Sequence, residues 1–274
     1  MTAAVQPLIA ALAGPRTIYD LARPYEIGMP QSPNHPAYWH SLPRRHGDMV
    51  RADGASAAND IIVMGTHVGT HIDALAHVSQ DGRLHGDLDA KAEQVGGRFM
   101  TGGTQDIPLL LGRGVLLDVP AALDLPLCEP GQEITPDDLE ATVAAQSVTP
   151  EAGDVILVRS GWGRHWQDRQ RYQGTESGVP GVSTAGAQWL AAHQPAAVGA
   201  DTIAFEQLVP GAGHSVLPAH RVLLMEAGIN IVETLALEEL AEAGVHTFAF
   251  VAIALPLVGA TGSPVRALAI TTPT

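Results

Sequence analysis

Three histidines and an aspartate crowd into the eleven residues of HVGTHIDALAH: His67, His71, Asp73 and His77. Imidazole nitrogens and carboxylate oxygens are the donors that hold Zn²⁺ or Mn²⁺ when thiolates are not used. The chain has one cysteine, Cys128, so any metal site in it must rely on nitrogen and oxygen. Positions on such an ion that the protein leaves open are filled by water. The ion can lower the pKa of that water towards about 7 and polarise a carbonyl. The chemistry to expect is that of a bound divalent cation.

Neither regular conformation gathers these residues. In a straight strand all four would share a face, but His67 and Asp73 would stand roughly 20 Å apart. A straight helix would align His67 with His71 and Asp73 with His77 on different faces, and Gly69 would cost about 1 kcal/mol relative to Ala. The chain must bend, and Gly69 supplies the backbone freedom. The expectation is a strand ending near His67, a turn through Gly69 and Thr70, and a helix starting near Asp73 with His77 one turn on. A further ligand from elsewhere is expected, and His220 and Glu233 are the candidates. His220 opens a helix and Glu233 closes the next strand, so an antiparallel run returns both to one edge of a sheet. His214 is a weaker substitute for His220. His35, His40, His46, His85, His165, His193 and His246 are scattered and read as surface or structural residues.

The elements that would carry these groups alternate. IIVMGTHV (61–68), VLLDV (115–119), VILVR (155–159), AAVGAD (196–201), INIVE (229–233) and HTFAFVAIAL (246–255) read as strands. TPDDLEATVAAQ (135–146) opens with a Thr cap, a first-turn Pro and acids, and reads as a helix. STAGAQWLAAH (183–193) is a second helix, and HRVLLMEAG (220–228) and LALEELAEAG (235–244) are two more, stopped by Gly228 and Gly244. This alternation argues an α/β fold. Residues 24–48 are Pro-rich and irregular, and 171–182 and 206–219 are long glycine-rich loops of the kind that carry function. No composition shift marks a second domain, so residues 1–274 read as one. Trp39 and Trp162 could wall a planar substrate.

The formal charge of −14 disfavours nucleic acid and anionic lipid as partners. No apolar run is long enough to span a membrane. The start, MTAAVQPLIAALAG, lacks a basic residue before Arg16, so a secretory signal is not expected. The lone cysteine fits a reducing compartment, and the cytoplasm is the expected location.

The segment from His67 to His77 closely resembles the HxGTHxDxPxH signature of the cyclase-like metal-dependent hydrolases, the group that includes bacterial kynurenine formamidase and isatin hydrolase. Tyr19-Asp20-Leu21 with Gly28-Met29-Pro30 is similar to that family's opening. Arg159-Ser-Gly-Trp162, Gly199-Ala-Asp201-Thr202 and Gly262-Ser-Pro-Val-Arg266 are similar to its later blocks, in order. The resemblance implies an α/β fold on a mixed, β-barrel-like sheet surrounded by helices, of the swivelling β/β/α type. It also implies a homodimer or larger oligomer such as a homotetramer. It suggests His67, His71 and Asp73 as ligands of a first Mn²⁺ or Zn²⁺ and His77 as the proton-transfer residue. In the formamidase branch His220 and Glu233 would complete a second site. Two departures stand out. The signature's proline is Leu75 here. His220 and Glu233 are thirteen apart, against twelve expected in the formamidase branch, which counts against a second ion.

The reading is a metal-dependent hydrolase that opens an amide, lactam, imide or lactone by hydroxide attack, isatin hydrolase-like, with kynurenine formamidase as the alternative. From another class comes a non-haem Fe(II) oxygenase using His71, Asp73 and His220 as a facial triad. A metal-binding protein without catalysis is the third reading, against which His77 speaks.

Overall fold

The computed structural model describes residues 13–272. Most of the opening run, where no secretory signal is expected, therefore lies outside the described residues. Nine strands form one mixed sheet: β1 (Thr17–Asp20), β2 (His71–Asp73), β3 (Leu110–Asp118), β4 (Val155–Arg159), β5 (Ala197–Ala200), β6 (Asn230–Glu233), β7 (Thr247–Ala252), β8 (Gly262–Pro264) and β9 (Leu268–Thr271). Across the sheet they run in the order β1-β9-β7-β3-β4-β5-β6-β2-β8. The four central strands, β3 to β6, are parallel, and the flanking strands pair antiparallel. The barrel-like expectation is met as a curled half-barrel whose edge strands, β1 and β8, do not pair with each other.

The central strands are largely apolar where both faces are covered, as parallel sheets require. VILVR is buried at all five positions. Alternation then divides the core in two. Val115, Leu117, Ile156, Val158, Val198 and Ile231 face one side. There they meet Leu139 of helix α1 (Pro136–Gln146), Leu190 of α2 (Thr184–Ala192) and Leu223 of α3, a helix whose first turn is Pro218–His220 and whose remainder is Arg221–Ala227. Leu116, Val155, Leu157 and Val232 face the other side, against Leu240 of α4 (Glu238–Glu242), Phe248 and Phe250.

The capped helix is as the sequence implies. Thr135 accepts from the Asp138 backbone N–H, the Asp138 carboxylate accepts from the Thr135 N–H, and Pro136 opens the first turn. Elsewhere the boundaries move. The strand expected over 115–119 begins at Leu110 and ends at Asp118. The strand expected over 61–68 is Asn59–Val63 and stops four residues before His67. It pairs with Trp39–Arg44 in a separate hairpin, so part of the Pro-rich segment expected to be irregular is a strand.

Candidate metal centre

The bend at Gly69 is present, and its physical cause is visible. Gly69 has φ +64°, and a Cβ there would sit 2.7 Å from the Tyr25 ring. Both facts demand glycine. The Tyr25 hydroxyl donates to the Thr70 carbonyl. The buried Thr70 hydroxyl accepts from the Arg23 N–H at 2.8 Å and donates to the Thr234 carbonyl at 2.8 Å. These bonds fix the turn against β6.

Beyond the bend, the expected helix is not formed. His71 to Asp73 is a strand, and only Leu75–His77 turns, as a single 3₁₀ turn. The strand solution works because β2 pairs antiparallel with β6, setting Glu233 opposite His71 and Ile231 opposite Asp73. Ile72 points into the α4-side core, so His71 and Asp73 point to the other face, towards α3. Ile231 and Glu233 share that face. Helix α3 brings His220 down onto it.

Four donors converge there. The Nε2 of His71 lies 3.4 Å from an Asp73 oxygen and 3.5 Å from a Glu233 oxygen. The Nε2 of His220 lies 3.5 Å from the other Asp73 oxygen and 3.2 Å from the other Glu233 oxygen. All four side chains are buried. The opposite ring nitrogens are held away from the centre: Nδ1 of His71 by the Gly69 carbonyl at 2.8 Å, and Nδ1 of His220 by Glu206 at 2.5 Å. Each Nδ1–H donates outward, which leaves each Nε2 lone pair facing the carboxylates, as orientation of a metal-binding imidazole requires. Asp73 Oδ2 and Glu233 Oε1 are buried with no hydrogen-bond partner among the described residues. Buried unpaired carboxylate oxygens are costly, and a divalent cation would satisfy them. The donor set fits such an ion.

The thirteen-residue spacing from His220 to Glu233 does not prevent this. Residues Arg221–Ala227 wind as a π-helix, closed by Gly228 at φ +70°. A π-helical hydrogen bond spans five residues where an α-helical one spans four. The extra residue is absorbed there, and His220 still reaches Glu233.

On the other side of Asp73 the imidazoles are arranged differently. His67 Nδ1 is 2.6 Å from Asp73 Oδ1 and its Nε2 is 2.9 Å from the Thr261 hydroxyl. The His77 ring stacks on His67, with centroids 3.8 Å apart. His35 lies beyond, 5.2 Å from His67 between centroids. Donor atoms gather within 4.8 Å as two trios, His67/Asp73/His77 and His71/Asp73/Glu233, sharing Asp73. The three residues suggested for a first ion are therefore neighbours, but His71 falls in one trio and His67 in the other.

Electrostatics separates the two sides. Burial pushes down His71 and His220, but it is outweighed and both are raised: His71 by its hydrogen bond to Asp73 and the charges of Asp73 and Glu233, His220 by hydrogen bonds to Asp73, Glu206 and Glu233. Burial also dominates at His77 and His35, and there it wins, taking them to about 3 and about 4. Burial would raise Asp73, yet the imidazoles of His77, His67 and His220 hold it well below the usual carboxylate range. Burial and then the Asp73 charge raise Glu233.

Some residues fall elsewhere. Trp162 is fully enclosed, donates its indole N–H to the Tyr172 carbonyl at 2.9 Å, and packs with Met29, Val68 and Trp166. It is an interior residue and offers no wall to a substrate. Trp39 stands out on the hairpin. His214 lines a cavity of about 420 Å³ with Asn34, Gln173, Thr175, Ile203 and Leu208, built largely from the two glycine-rich loops. No Lys or Arg is among its lining residues. Three residues of the site escape the sequence reading. His35 stands there among the scattered histidines, and Glu206 and Thr261 carry no local signal. Glu206 is buried and also accepts the backbone N–H groups of Ala219 and His220.

A family model described as "Putative cyclase" matches residues 19–207. A kynurenine formamidase of Geobacillus thermodenitrificans is 29% identical over 217 residues, which is 79% of this chain and 82% of that protein. The crystal structure of a novel cyclase is 29% identical, covers 96% of this chain and 92% of its own, and superposes with a TM-score of 0.83. Isatin hydrolase A from Labrenzia aggregata, bound to benzyl benzoate, shares the fold with a TM-score of 0.74 at 21% identity, covering 98% of each chain.

Proposed function

The chain belongs to the cyclase family of metal-dependent hydrolases, and from that premise we propose that it opens a cyclic amide, imide or lactone at a divalent cation held by Asp73. The observation that carries the reading is the pair of Nε2 atoms, on His71 and His220, each set between the carboxylates of Asp73 and Glu233 with Nδ1 tied outward. When bound there, Mn²⁺ or Zn²⁺ would supply a Lewis acid and a water of lowered pKa. His71, His220, Asp73 and Glu233 would hold it, with His67 beside Asp73. The donor set is mixed nitrogen and oxygen and suits either ion.

The chain's own residues do the rest. His77 is neutral at neutral pH and lies within the same cluster as Asp73. Its ring can accept the proton released by the attacking water and return it to the leaving nitrogen or oxygen, the ordinary role of a general acid–base. His67, stacked beneath it, fixes its plane. The cavity beside His214, with amide and hydroxyl groups but no fixed positive charge, suits a neutral substrate better than one bearing a carboxylate. This favours the isatin hydrolase-like reading over N-formyl amide hydrolysis as in kynurenine formamidase. A facial-triad oxygenase uses one carboxylate; here Glu233 adds a second to the group, so hydrolysis is the better account. No helix among the described residues is long and apolar enough to cross a membrane. The working form we propose is a cytoplasmic homo-oligomer acting on a small molecule.

The test is turnover by protein of verified metal content. Isatin, cyclic imides, lactones and a formyl-anilide should be assayed with Mn²⁺ and with Zn²⁺, after stripping by a chelator. Ring opening that disappears on stripping and returns with either ion is the expected result. Full activity in metal-free protein would sink the mechanism.

A further inference from the structure

Helix α3 is wound in an unusual register, and something outside it must hold that register. Residues Arg221–Ala227 are π-helical, a conformation that is rare and seldom lasts beyond one turn. Both ends of the segment are fixed. At the start, Glu206 accepts the backbone N–H groups of Ala219 and His220. Beyond the end, β6 is locked between β5 and β2. On the solvent side, Arg221 Nε lies 3.3 Å from Glu226 Oε1. These residues are five apart, whereas ion pairs along an α-helix sit three or four apart. The side chains therefore follow the wide winding too.

The far end of α3 rests on His85. The last carbonyls of a helix have no partner within it, and that of Met225 accepts from His85 Nδ1 at 3.0 Å. A carbonyl cannot donate, so Nδ1 carries the proton. The same ring lies against Gly228, where a Cβ would come within 2.6 Å of its Cε1 and Nε2. Gly228, at φ +70°, donates its N–H to the Leu223 carbonyl, five residues back. His85 thus touches the residues that close the wide turn. It is half-buried and stands eight residues beyond His77. The turns at Leu75–His77 and His85–Asp87 both pack on α3, and Leu75 and Val78 meet the cluster that contains Val222, Leu223 and Leu224. One short segment therefore carries His77 to one side of Asp73 and braces the helix that brings His220 to the other.

We propose that His85 is a positioning residue: it holds the end of α3 in its wide register and so keeps His220 in place against Asp73 and Glu233. The inference rests on the reading that those side chains hold a divalent cation. Helix winding makes the position of His220 sensitive to the far end. In an α-helix each residue advances about 100° round the axis. A return to α winding over this segment would therefore turn His220 away from the carboxylates or draw the start of α3 off Glu206. The Arg221–Glu226 pair is 38% and 47% exposed, and exposed pairs contribute little. The bond from His85 to Met225 is made where α3 packs on the protein, and it acts on the carbonyl that the helix itself leaves without a partner.

Titration calorimetry of the metal-stripped full chain with Zn²⁺ and with Mn²⁺ tests this without reference to turnover. His85→Ala should keep its circular dichroism and bind the ion ~10-fold more weakly. His85→Asn, whose side-chain N–H can reach the same carbonyl, should recover most of the affinity. His85→Phe keeps a ring against Gly228 but has no N–H to offer, and should bind as weakly as His85→Ala. It also supplies the reading if His85→Ala does not fold. Glu226→Gln, on the solvent side, should bind as wild type. Wild-type affinity in folded His85→Ala or His85→Phe, no recovery in His85→Asn, or an equal loss in Glu226→Gln would overturn the proposal. A wild type that binds neither ion would remove the hydrolase reading and this proposal with it. A wild type that binds, with all three His85 variants binding equally well, removes this proposal alone.

Discussion

Two groups of histidines face each other across Asp73, and the same side chain is set up oppositely in each. On one side, His71 and His220 have Nδ1 tied outward and Nε2 turned to two carboxylates, and both are raised. On the other, His77 and His35 lie in a stack with His67, have no carboxylate as close, and are lowered to about 3 and about 4. Burial acts in the same direction on all four; the difference lies in the count of acidic acceptors at hydrogen-bond distance. The first group is arranged to hold a positive charge, as an ion or as protons. The second is arranged to stay neutral beside it. Residue type alone therefore does not assign a role, and the second ring nitrogen does.

Asp73 is the element common to both sides, so its loss should have the largest effect. Asp73→Asn should lower metal affinity by more than ~100-fold and abolish turnover, read by metal content after dialysis together with the assay. Retention of a full complement of ion would break the comparison at its centre. His77→Ala should come next. It should keep its ion and lose turnover by ~10²- to 10⁴-fold, the usual worth of a general acid–base. Loss of the ion in that variant would move His77 into the ligand group.

Glu206→Gln probes the orientation of the first group. The amide can turn its NH₂ towards His220 Nδ1 and so favour the tautomer with its proton on Nε2. Metal affinity should fall ~10- to 100-fold by titration calorimetry, and the ¹⁵N shifts of the His220 ring should report the changed tautomer. An unchanged affinity would mean that Glu206 serves only to anchor the start of α3.

The smallest effect is on the metal-free protein's stability against pH. The raised pair, His71 and His220, stabilises the fold below pH ~6.5, and that contribution is lost as pH rises through their folded values. The lowered pair does the reverse. Above pH ~6.5 it costs nothing; as pH falls towards about 4 and then about 3, the unfolded chain takes up protons that His35 and His77 refuse, and stability declines. Urea melts of wild type and His77→Ala should therefore diverge below pH ~6.5, with the variant losing less on acidification. Parallel profiles would show that the stack does not resist protonation. Added ion should bind more tightly as pH rises, because His71 and His220 must release protons to accept it.

Much of this was legible in the chain. The strands at 155–159 and 230–233, the Thr135 cap and the bend at Gly69 all arise from local rules, because side-chain alternation, capping and a positive φ involve only near neighbours. The clustering of His67, His71, Asp73 and His77 marked the site, and element lengths placed His220 and Glu233 at one sheet edge. The conformation after the bend was not legible. Periodicity allowed a helix from Asp73, but pairing with β6 on one side and β8 on the other made His71–Asp73 a strand, since ladder hydrogen bonds to distant segments outweigh local propensity.

The sequence by itself determined which donor types are present, that they must be nitrogen and oxygen, and that the backbone turns at Gly69. Only the tertiary structure decided that Glu206 orients His220, that a π-helical stretch absorbs the extra residue before Glu233, that His35 joins the stack, and that Trp162 is enclosed. Each of these depends on contacts between residues far apart in the chain. No short-range pattern encodes such contacts; they exist only once the sheet register has fixed which side chains share a face.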